Sequence, residues 1–270
     1  MENIEINKEK QSKTKKGLFL ILKVVIVMVI IFLILVVYSR FIEPKLLNVN
    51  EYKVTNSLIP NNFHGTKVVH FSNLYFKSTI NDKDINKVIS KINLLKPDIV
   101  IFSGDLLLPK HNYDIVNKEF LTNALKDINA RLGKYYVTGD SDTNLSIDIL
   151  NNADFININD KTLPIYYKDN NYINITGFNN SLNVLDTNVY NILVSHNSNN
   201  IQKVSNSDLF LSANSYNYQI RIPFIDKEYG YYSNKINNTD VFINNGIGTI
   251  NSKFRFNSLP TIDLYRLTNY

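Results

Sequence analysis

The hydrophobic positions along this chain fall into three regimes. From Leu18 to Val37 the sequence LFLILKVVIVMVIIFLILVV is apolar on every side, interrupted only by Lys23. Its 20 residues, at about 1.5 Å each, cover roughly 30 Å, the thickness of a bilayer's hydrocarbon core. A stretch apolar all round suits a lipid-facing helix, and Lys23 is near enough to its start to reach the headgroups. A secretory h-region is shorter, about 7–15 residues, and precedes a small-residue cleavage site. Here the first alanine is Ala124. The pattern predicts one uncleaved transmembrane helix over 17–39. A basic tail (1–16) precedes it, and a linker (40–65) with Pro44, Pro60 and Gly65 follows.

From residue 66 strand and helix patterns alternate. Lys67–Ser72, Asp98–Ser103 and Lys134–Thr138 are short apolar runs rich in β-branched and aromatic residues, which predict buried strands. Between them, Asp82–Leu95 has Ile85, Val88, Ile89, Ile92 and Leu95 at helical spacing, and Tyr113–Ala130 and Thr143–Leu150 also read as helices. This order predicts an α/β domain with parallel strands. Beyond Asp154 short strand-like runs dominate: Ile165–Tyr167, Tyr172–Thr176, Val189–Ser195, Asp208–Leu211, Gln219–Pro223, Val241–Asn244 and Thr261–Leu267. They predict a mixed, more antiparallel second half. No internal repeat or low-complexity linker divides the region, so 66–270 is expected to be one domain.

Charge changes the picture through its position. The chain carries +5, with an isoelectric point near 9.0, a balance that invites a nucleic-acid reading. Residues 1–40 hold seven basic and three acidic side chains, which places +4 there and leaves +1 for 41–270. A nearly neutral domain lacks the electrostatic footprint of a phosphate-backbone binder, so no nucleic-acid partner is expected. Five lysines precede the apolar span, while Arg40 and Lys45 follow closely. The positive-inside rule then puts the N-terminus in the cytoplasm and the domain outside, at the cell membrane. The absence of cysteine excludes thiolate metal sites, disulfides and a thiol nucleophile.

Polar clusters stand where the apolar runs end: Ser72-Asn73-Leu74-Tyr75, Ser103-Gly104-Asp105, Thr138-Gly139-Asp140-Ser141-Asp142, Ser195-His196-Asn197 and Ser212-Ala213-Asn214-Ser215-Tyr216. Open α/β sheets place ligands at such strand ends. Asp105, Asp140, Asp142 and His196 together make an oxygen-rich set with one imidazole, suited to Mn, Fe or Zn rather than Ca. Each residue also has a plain structural reading. Asp105 fits a turn or helix cap, Asp140 and Asp142 fit solvated loop carboxylates, and His196 fits a hydrogen-bonded core residue. Tyr75 and Tyr216 fit packing groups.

These motifs resemble the calcineurin-like metallophosphoesterases, and in particular their bacterial membrane-anchored subgroup. KPDIVIFSGDLL (Lys96–Leu107), GKYYVTGDSD (Gly133–Asp142), ILVSHN (Ile192–Asn197) and LFLSANSYNYQIRIPF (Leu209–Phe224) carry the likeness. NNGIGT (Asn244–Thr249) and RFNSLP (Arg255–Pro260) resemble the family's closing strands. The resemblance implies a four-layer α/β/β/α sandwich with a two-metal phosphoesterase site built from D-x-H, G-D, G-N-H-[DE], H and G-H-x-H motifs. In this chain the D-x-H positions are Asn73 and Tyr75. G-N-H-D reads Gly139, Asp140, Ser141, Asp142, and G-H-x-H reads Ala213, Asn214, Ser215, Tyr216.

By this resemblance the first metal site would fall to Asn73, Tyr75, Tyr216 and bridging Asp105, of which only Asp105 is a good ligand. A residual second site would use Asp105, Asp140, His196 and the weak amide oxygen of Asn214, with room for one divalent ion (Mn, Fe or Zn). Ser141 replaces the histidine that assists the leaving group and has no pKa near 7, and Asp142 would stand behind it. Paired metals polarise the phosphoryl group and supply the hydroxide nucleophile, so these losses are costly. The expectation is a catalytically impaired, membrane-anchored pseudoenzyme. The alternative is a one-metal hydrolase acting on envelope or lipid-linked phosphates. The membrane lipid around the anchor and a phosphorylated ligand are the expected partners.

Overall fold

The computed structural model describes residues 2–109, 113–181, 185–203, 206–214, 219–221, 233–236, 238–250 and 252–270, with backbone only for 2–13, 214 and 233–234. Helix α1 (Glu2–Val37) contains the apolar stretch and continues into a π-helical turn at Tyr38–Ile42 and a 3-10 turn at Glu43–Lys45. The stretch Thr14–Lys45 is long and apolar enough to cross a membrane, and its most hydrophobic window has mean hydropathy 3.5 with none of it buried against the domain.

The domain is built on two six-stranded sheets. The first has the order β1-β12-β2-β3-β4-β5, and the second β10-β11-β9-β8-β7-β6. In the first, β2 (Lys67–Phe71), β3 (Ile99–Phe102), β4 (Lys134–Tyr136) and β5 (Phe155–Asn157) run parallel, joined by α2 (Asp82–Leu95), α3 (Ile115–Lys126) and α4 (Asn144–Asn152). Helix α2 begins at a reciprocal capping box, in which Asn81 accepts from the Asp84 N–H and the Asp84 carboxylate accepts from the Asn81 N–H. It ends at Lys96 in the left-handed conformation, just before Pro97. The apolar stripe predicted from spacing is the buried one: Ile85, Val88, Ile89 and Ile92 pack onto the outer face of the first sheet with Val69, Phe71, Val100 and Phe102.

Between the sheets lies a second core. Val68, Ile99, Ile101, Tyr135 and Tyr265 of the first sheet meet Ile173, Ile175, Ile192, Val194 and Leu211 of the second. These strands bury both faces, which explains their continuous apolar runs. A smaller cluster of Phe178, Leu193, Ile201, Phe210 and Val241 covers the far face of the second sheet, capped by a 3-10 segment at Ser198–Lys203. The α/β/β/α layering is therefore present, with its fourth layer reduced among the described residues to that short segment.

The structure corrects three expectations. The second sheet is not mainly antiparallel: β7 (Tyr172–Gly177), β8 (Asn191–Asn197), β9 (Leu209–Asn214) and β11 (Thr239–Ile243) are mutually parallel. Only the edge strands β6 (Thr162–Tyr166) and β10 (Ser233–Ile236) run against them. Parallel neighbours need a crossover. Here the one between β8 and β9 is a 3-10 segment with no helical period to betray it. The linker at 40–65 contains β1 (Asn48–Thr55), paired in parallel with β12 (Thr261–Thr268) along eight residues. Its sequence NVNEYKVT reads as loop because an edge strand keeps polar, partly exposed side chains. The run 219–223 is no strand where it is described. Ile220 makes an isolated bridge to Phe256, and residues 222–223 lie outside the described residues. Residues 244–249 and 255–260 form loops leading into β12, which is the closing strand.

Candidate functional site

Strands β2, β3, β4 and β8 deliver their following loops to one place. The first contact is between glycines. Gly104 follows β3 with φ +93, and a Cβ there would collide with the Gly139 backbone nitrogen and lie 2.9 Å from the His196 ring nitrogen Nδ1. At Gly139, a Cβ would collide with the Asp105 carboxylate and lie 2.8 Å from His196 Cε1. Each Gly-Asp pair is thus a close backbone approach and not only a turn.

Asp142 locks these loops together. Its Oδ2 accepts from the Asp105 and Gly139 N–H groups at 2.9 Å each, and its Oδ1 accepts from the Leu106 N–H at 2.8 Å. Burial, reinforced by the nearby Asp105 charge, holds the Asp142 carboxyl above its ordinary value in spite of these bonds. The solvated-loop reading of Asp142 is corrected: it is a staple between two loops, whether or not a histidine stands at position 141.

Asp105 is buried and has φ +60. Its Oδ1 accepts from the Ser141 N–H at 2.8 Å, and its Oδ2 accepts from the Tyr75 hydroxyl at 2.7 Å, with His196 Nε2 3.5 Å away. At that distance the histidine contact is an ion contact and not a strong hydrogen bond. His196 Nδ1 lies 2.6 Å from the Ser103 carbonyl oxygen, so Nδ1 carries the proton and donates it. Burial pulls the His196 pKa down, but Asp105, the Ser103 carbonyl and Asp140 outweigh it, and the net shift is upward. For Asp105 burial acts to raise the pKa, yet His196, Tyr75 and the Ser141 N–H reverse it and leave the carboxyl below its usual range. The pair is a buried carboxylate–imidazole couple in which each partner favours the charged form of the other.

Tyr75 seals the other side. It is buried and has φ +44, a left-handed conformation that costs a bulky residue strain. Burial, then the charge of Asp105, pushes its phenol far above the ordinary tyrosine value, so it stays a neutral donor to Asp105. Asn73, also left-handed at φ +52, packs its Cβ against Gly246, and its enclosed Oδ1 has no hydrogen-bond partner.

Of the residues singled out by sequence, Asn73, Tyr75, Asp105, Ser141, Asp142 and His196 are brought together. Asp140 is exposed, although its charge is felt by His196 and Tyr75. Tyr216 and the side chain of Asn214 lie outside the described residues; the Asn214 backbone pairs with Asn197. Among the described residues no group of three or more His, Asp or Glu is arranged to hold a metal ion. Asp105 is the carboxylate in ion contact with His196 among the described residues, and both its oxygens already accept hydrogen bonds. The described donors therefore do not fit a two-metal centre. Asp105, Asp140 and His196 likewise do not form such a group among the described residues.

Three features escaped sequence reasoning. His70, buried on β2, has Nε2 2.6 Å from the Ser103 hydroxyl, and burial lowers its pKa to about 3. Asn244 links Ser72 to Asp263, accepting from the serine at 2.7 Å and donating to the carboxylate at 2.7 Å; burial pushes Asp263 up to about 6. Arg255, also buried, donates to the carbonyls of Gly246, Gly248 and Ser258 at 3.0, 2.8 and 2.9 Å. A polar residue inside an apolar strand was the available signal for His70 and Asp263. For Arg255, a loop residue, there was none.

No protein-family profile matches the chain. Curated proteins do. The uncharacterized metallophosphoesterase YkuE of Bacillus subtilis is 32% identical over 105 residues, 39% of this chain and 36% of that protein. The UDP-2,3-diacylglucosamine pyrophosphatase LpxG of Chlamydia trachomatis is 32% identical over 118 residues, 42% of this chain and 34% of that protein. A transmembrane protein with metallophosphoesterase domain from Danio rerio is 24% identical over 109 residues, 40% of this chain and 24% of that protein. The matches thus span about a third of the length of the first two relatives. A solved structure, TT1561 of Thermus thermophilus, aligns with a TM-score of 0.44 at 11% identity, over 67% of this chain and 90% of that one. The curated relatives and the motif-bearing strand ends make the chain similar to the calcineurin-like metallophosphoesterases, over stretches of 39% to 55% of its length.

Proposed function

We propose that this is a membrane-anchored member of the family in which hydrolysis is impaired and the cleft serves as a binding surface. The observation that carries this reading is the hydrogen bond from the buried Tyr75 hydroxyl to Asp105. A neutral phenol occupies the carboxylate that would otherwise bridge two cations. Ser141, which donates only its backbone N–H to Asp105, supplies no proton near neutral pH. Helix α1 spans the membrane once, with the lysine-rich end in the cytoplasm and the domain outside. A phosphorylated molecule remains the ligand class that matches the family's cleft.

The test uses the purified full chain loaded with Mn, Fe or Zn, assayed on nitrophenyl phosphomonoester and phosphodiester substrates beside a restored variant. That variant carries Asn73→Asp, Tyr75→His, Ser141→His, Asn214→His and Tyr216→His. The expected result is metal-dependent turnover in the restored chain alone; metal-dependent turnover by the wild type would sink the proposal. Because the chain has no cysteine, a single Ser181→Cys at an exposed position reports topology. An impermeant maleimide is expected to label it on intact cells, and labelling only after lysis reverses the orientation.

A further inference from the structure

The segment joining α1 to the domain is built into the fold. The Ser39 carbonyl accepts from the Arg255 N–H at 2.9 Å. Glu43 is buried, and its carboxylate accepts from the Asn257 N–H at 3.0 Å and from the Ser258 N–H. Arg255 in turn holds the carbonyls of 246–248, the loop that packs on Asn73. The helix end and the site loop are thus joined through one buried arginine, and the domain is fixed in orientation relative to α1.

This rigid joint sets a height. Helix α1 ends at Val37 and helical turns continue to Lys45. At about 1.5 Å per residue, Pro44 and Lys45 sit roughly 10–12 Å beyond the last residue of the apolar helix. The headgroup layer is about 5–8 Å thick on each side of the hydrocarbon. Pro44 and Lys45 therefore stand a few Å outside the headgroup layer, close enough for a lysine side chain to reach it, and there they form one wall of a groove against α2. Leu47, Ile80, Val88 and Ile247 line its interior, and Lys45 and Lys87 stand at its rim, with Lys87 Nζ donating to the Lys45 carbonyl at 2.9 Å.

The charge around the groove is one-sided. Lys83, Lys87 and Lys91 are exposed at successive four-residue steps on α2, an arrangement that costs helix stability because like charges four apart repel. Against these lysines stand two acids, Asp84, which lines the groove and caps α2 through the Asn81 N–H, and Asp82, which pairs with Lys77 at 2.7 Å, so the face keeps a net positive charge. Phe41, Ile42 and Leu46, on the same joint, are exposed apolar residues. A cationic face with an apolar groove, set just outside the headgroup layer and joined to it by the apolar fringe, matches one ligand chemistry, an anionic phospholipid. A second copy of the same face would meet it lysine to lysine.

We propose that this face, formed by the groove with Lys45, Lys83, Lys87 and Lys91, is a docking surface for anionic phospholipid of the membrane that α1 enters. The inference rests on α1 being membrane-spanning. The experiment reconstitutes the full chain in nanodiscs of equal phosphatidylglycerol and phosphatidylcholine and identifies retained lipid by native mass spectrometry after mild detergent release. About a tenfold preference for phosphatidylglycerol is expected from four lysines near an anionic surface. The variant Lys45→Gln/Lys83→Gln/Lys87→Gln/Lys91→Gln is expected to lose that preference with a Tm no lower than the wild type's, since all four side chains are exposed and the repulsion along α2 is relieved. An unbiased lipid pattern in the wild type, an unchanged preference in the variant, or a dimer closed through this face overturns the proposal. Vesicle flotation after a carbonate wash separates the two failures. A chain that floats but shows no lipid preference refutes only the docking surface, whereas one that does not float refutes the anchor as well.

Discussion

His70 and His196 are both buried and both hydrogen-bonded to Ser103, one to its hydroxyl and the other to its carbonyl. Their chemistry is opposite. Burial alone drives His70 down to about 3, so it is a neutral core residue. At His196 burial acts the same way, but Asp105 at 3.5 Å reverses the direction. One carboxylate, delivered by the Gly104-Asp105 turn, separates a structural histidine from a site histidine.

The pH dependence of stability breaks the comparison most sharply. His70 has a depressed folded pKa, so its contribution is present above the unfolded value of 6.5 and is lost as pH falls toward about 3. That displacement corresponds to about 5 kcal/mol, at about 1.4 kcal/mol per pH unit. His196 has a raised folded pKa, so its contribution is present below 6.5 and is lost as pH rises through the folded value. Denaturant unfolding of the full chain between pH 3 and 8 is expected to show a steep acid limb that His70→Gln flattens. An acid limb unchanged in that variant would remove His70 from the account.

Asp105→Ala attacks the other half. It leaves the Tyr75 hydroxyl and the Ser141 N–H without their acceptor, and it strips His196 of its charge partner. Breaking a buried pair from one side costs about 3–5 kcal/mol. With the carboxylate gone, burial, the largest cause, is opposed at His196 only by the Ser103 carbonyl and Asp140. Its imidazole is expected to titrate below 6.5, in the manner of His70, when followed by NMR on a chain with the other histidines replaced. A His196 pKa that stays raised would show that Ser103 and Asp140, and not Asp105, set it.

Much of this architecture was legible in sequence. The stripe Ile85–Val88–Ile89–Ile92 placed α2 at its observed bounds, and apolar runs placed β2, β3, β4, β8 and β12 to within a few residues. Their polar ends marked the loops that meet at Asp105. What stayed hidden was long-range. The parallel run of the second sheet depends on crossovers, of which the one between β8 and β9 is too short to have a period. β1 is identified by its partner β12, which lies about 213 residues away at Thr55–Thr268. Arg255 and Glu43 look like ordinary surface charges until tertiary contacts bury them. Local pattern carries no information about such pairs. The Tyr75–Asp105 bond was similarly invisible: the sequence reported a lost histidine, and only geometry showed that the replacement reaches the retained carboxylate.

The smallest effect sharpens the comparison at Ser103 itself, where the two histidines share a residue but not an atom. Ser103→Ala deletes the hydroxyl that meets His70 Nε2 and keeps the carbonyl that meets His196 Nδ1. His70 Nδ1 already has no partner, so the variant leaves a buried imidazole with neither nitrogen satisfied, at a cost of about 1 kcal/mol. A neutral ring with no acceptor for its proton also resists charging further, so the acid limb is expected to start at the same pH but run deeper and end at lower pH. The His196 titration is expected to stay where it is. If Ser103→Ala shifts both histidines, the pair is coupled through the serine side chain, and the site's pKa is set by a network that includes β2 and not by Asp105 alone.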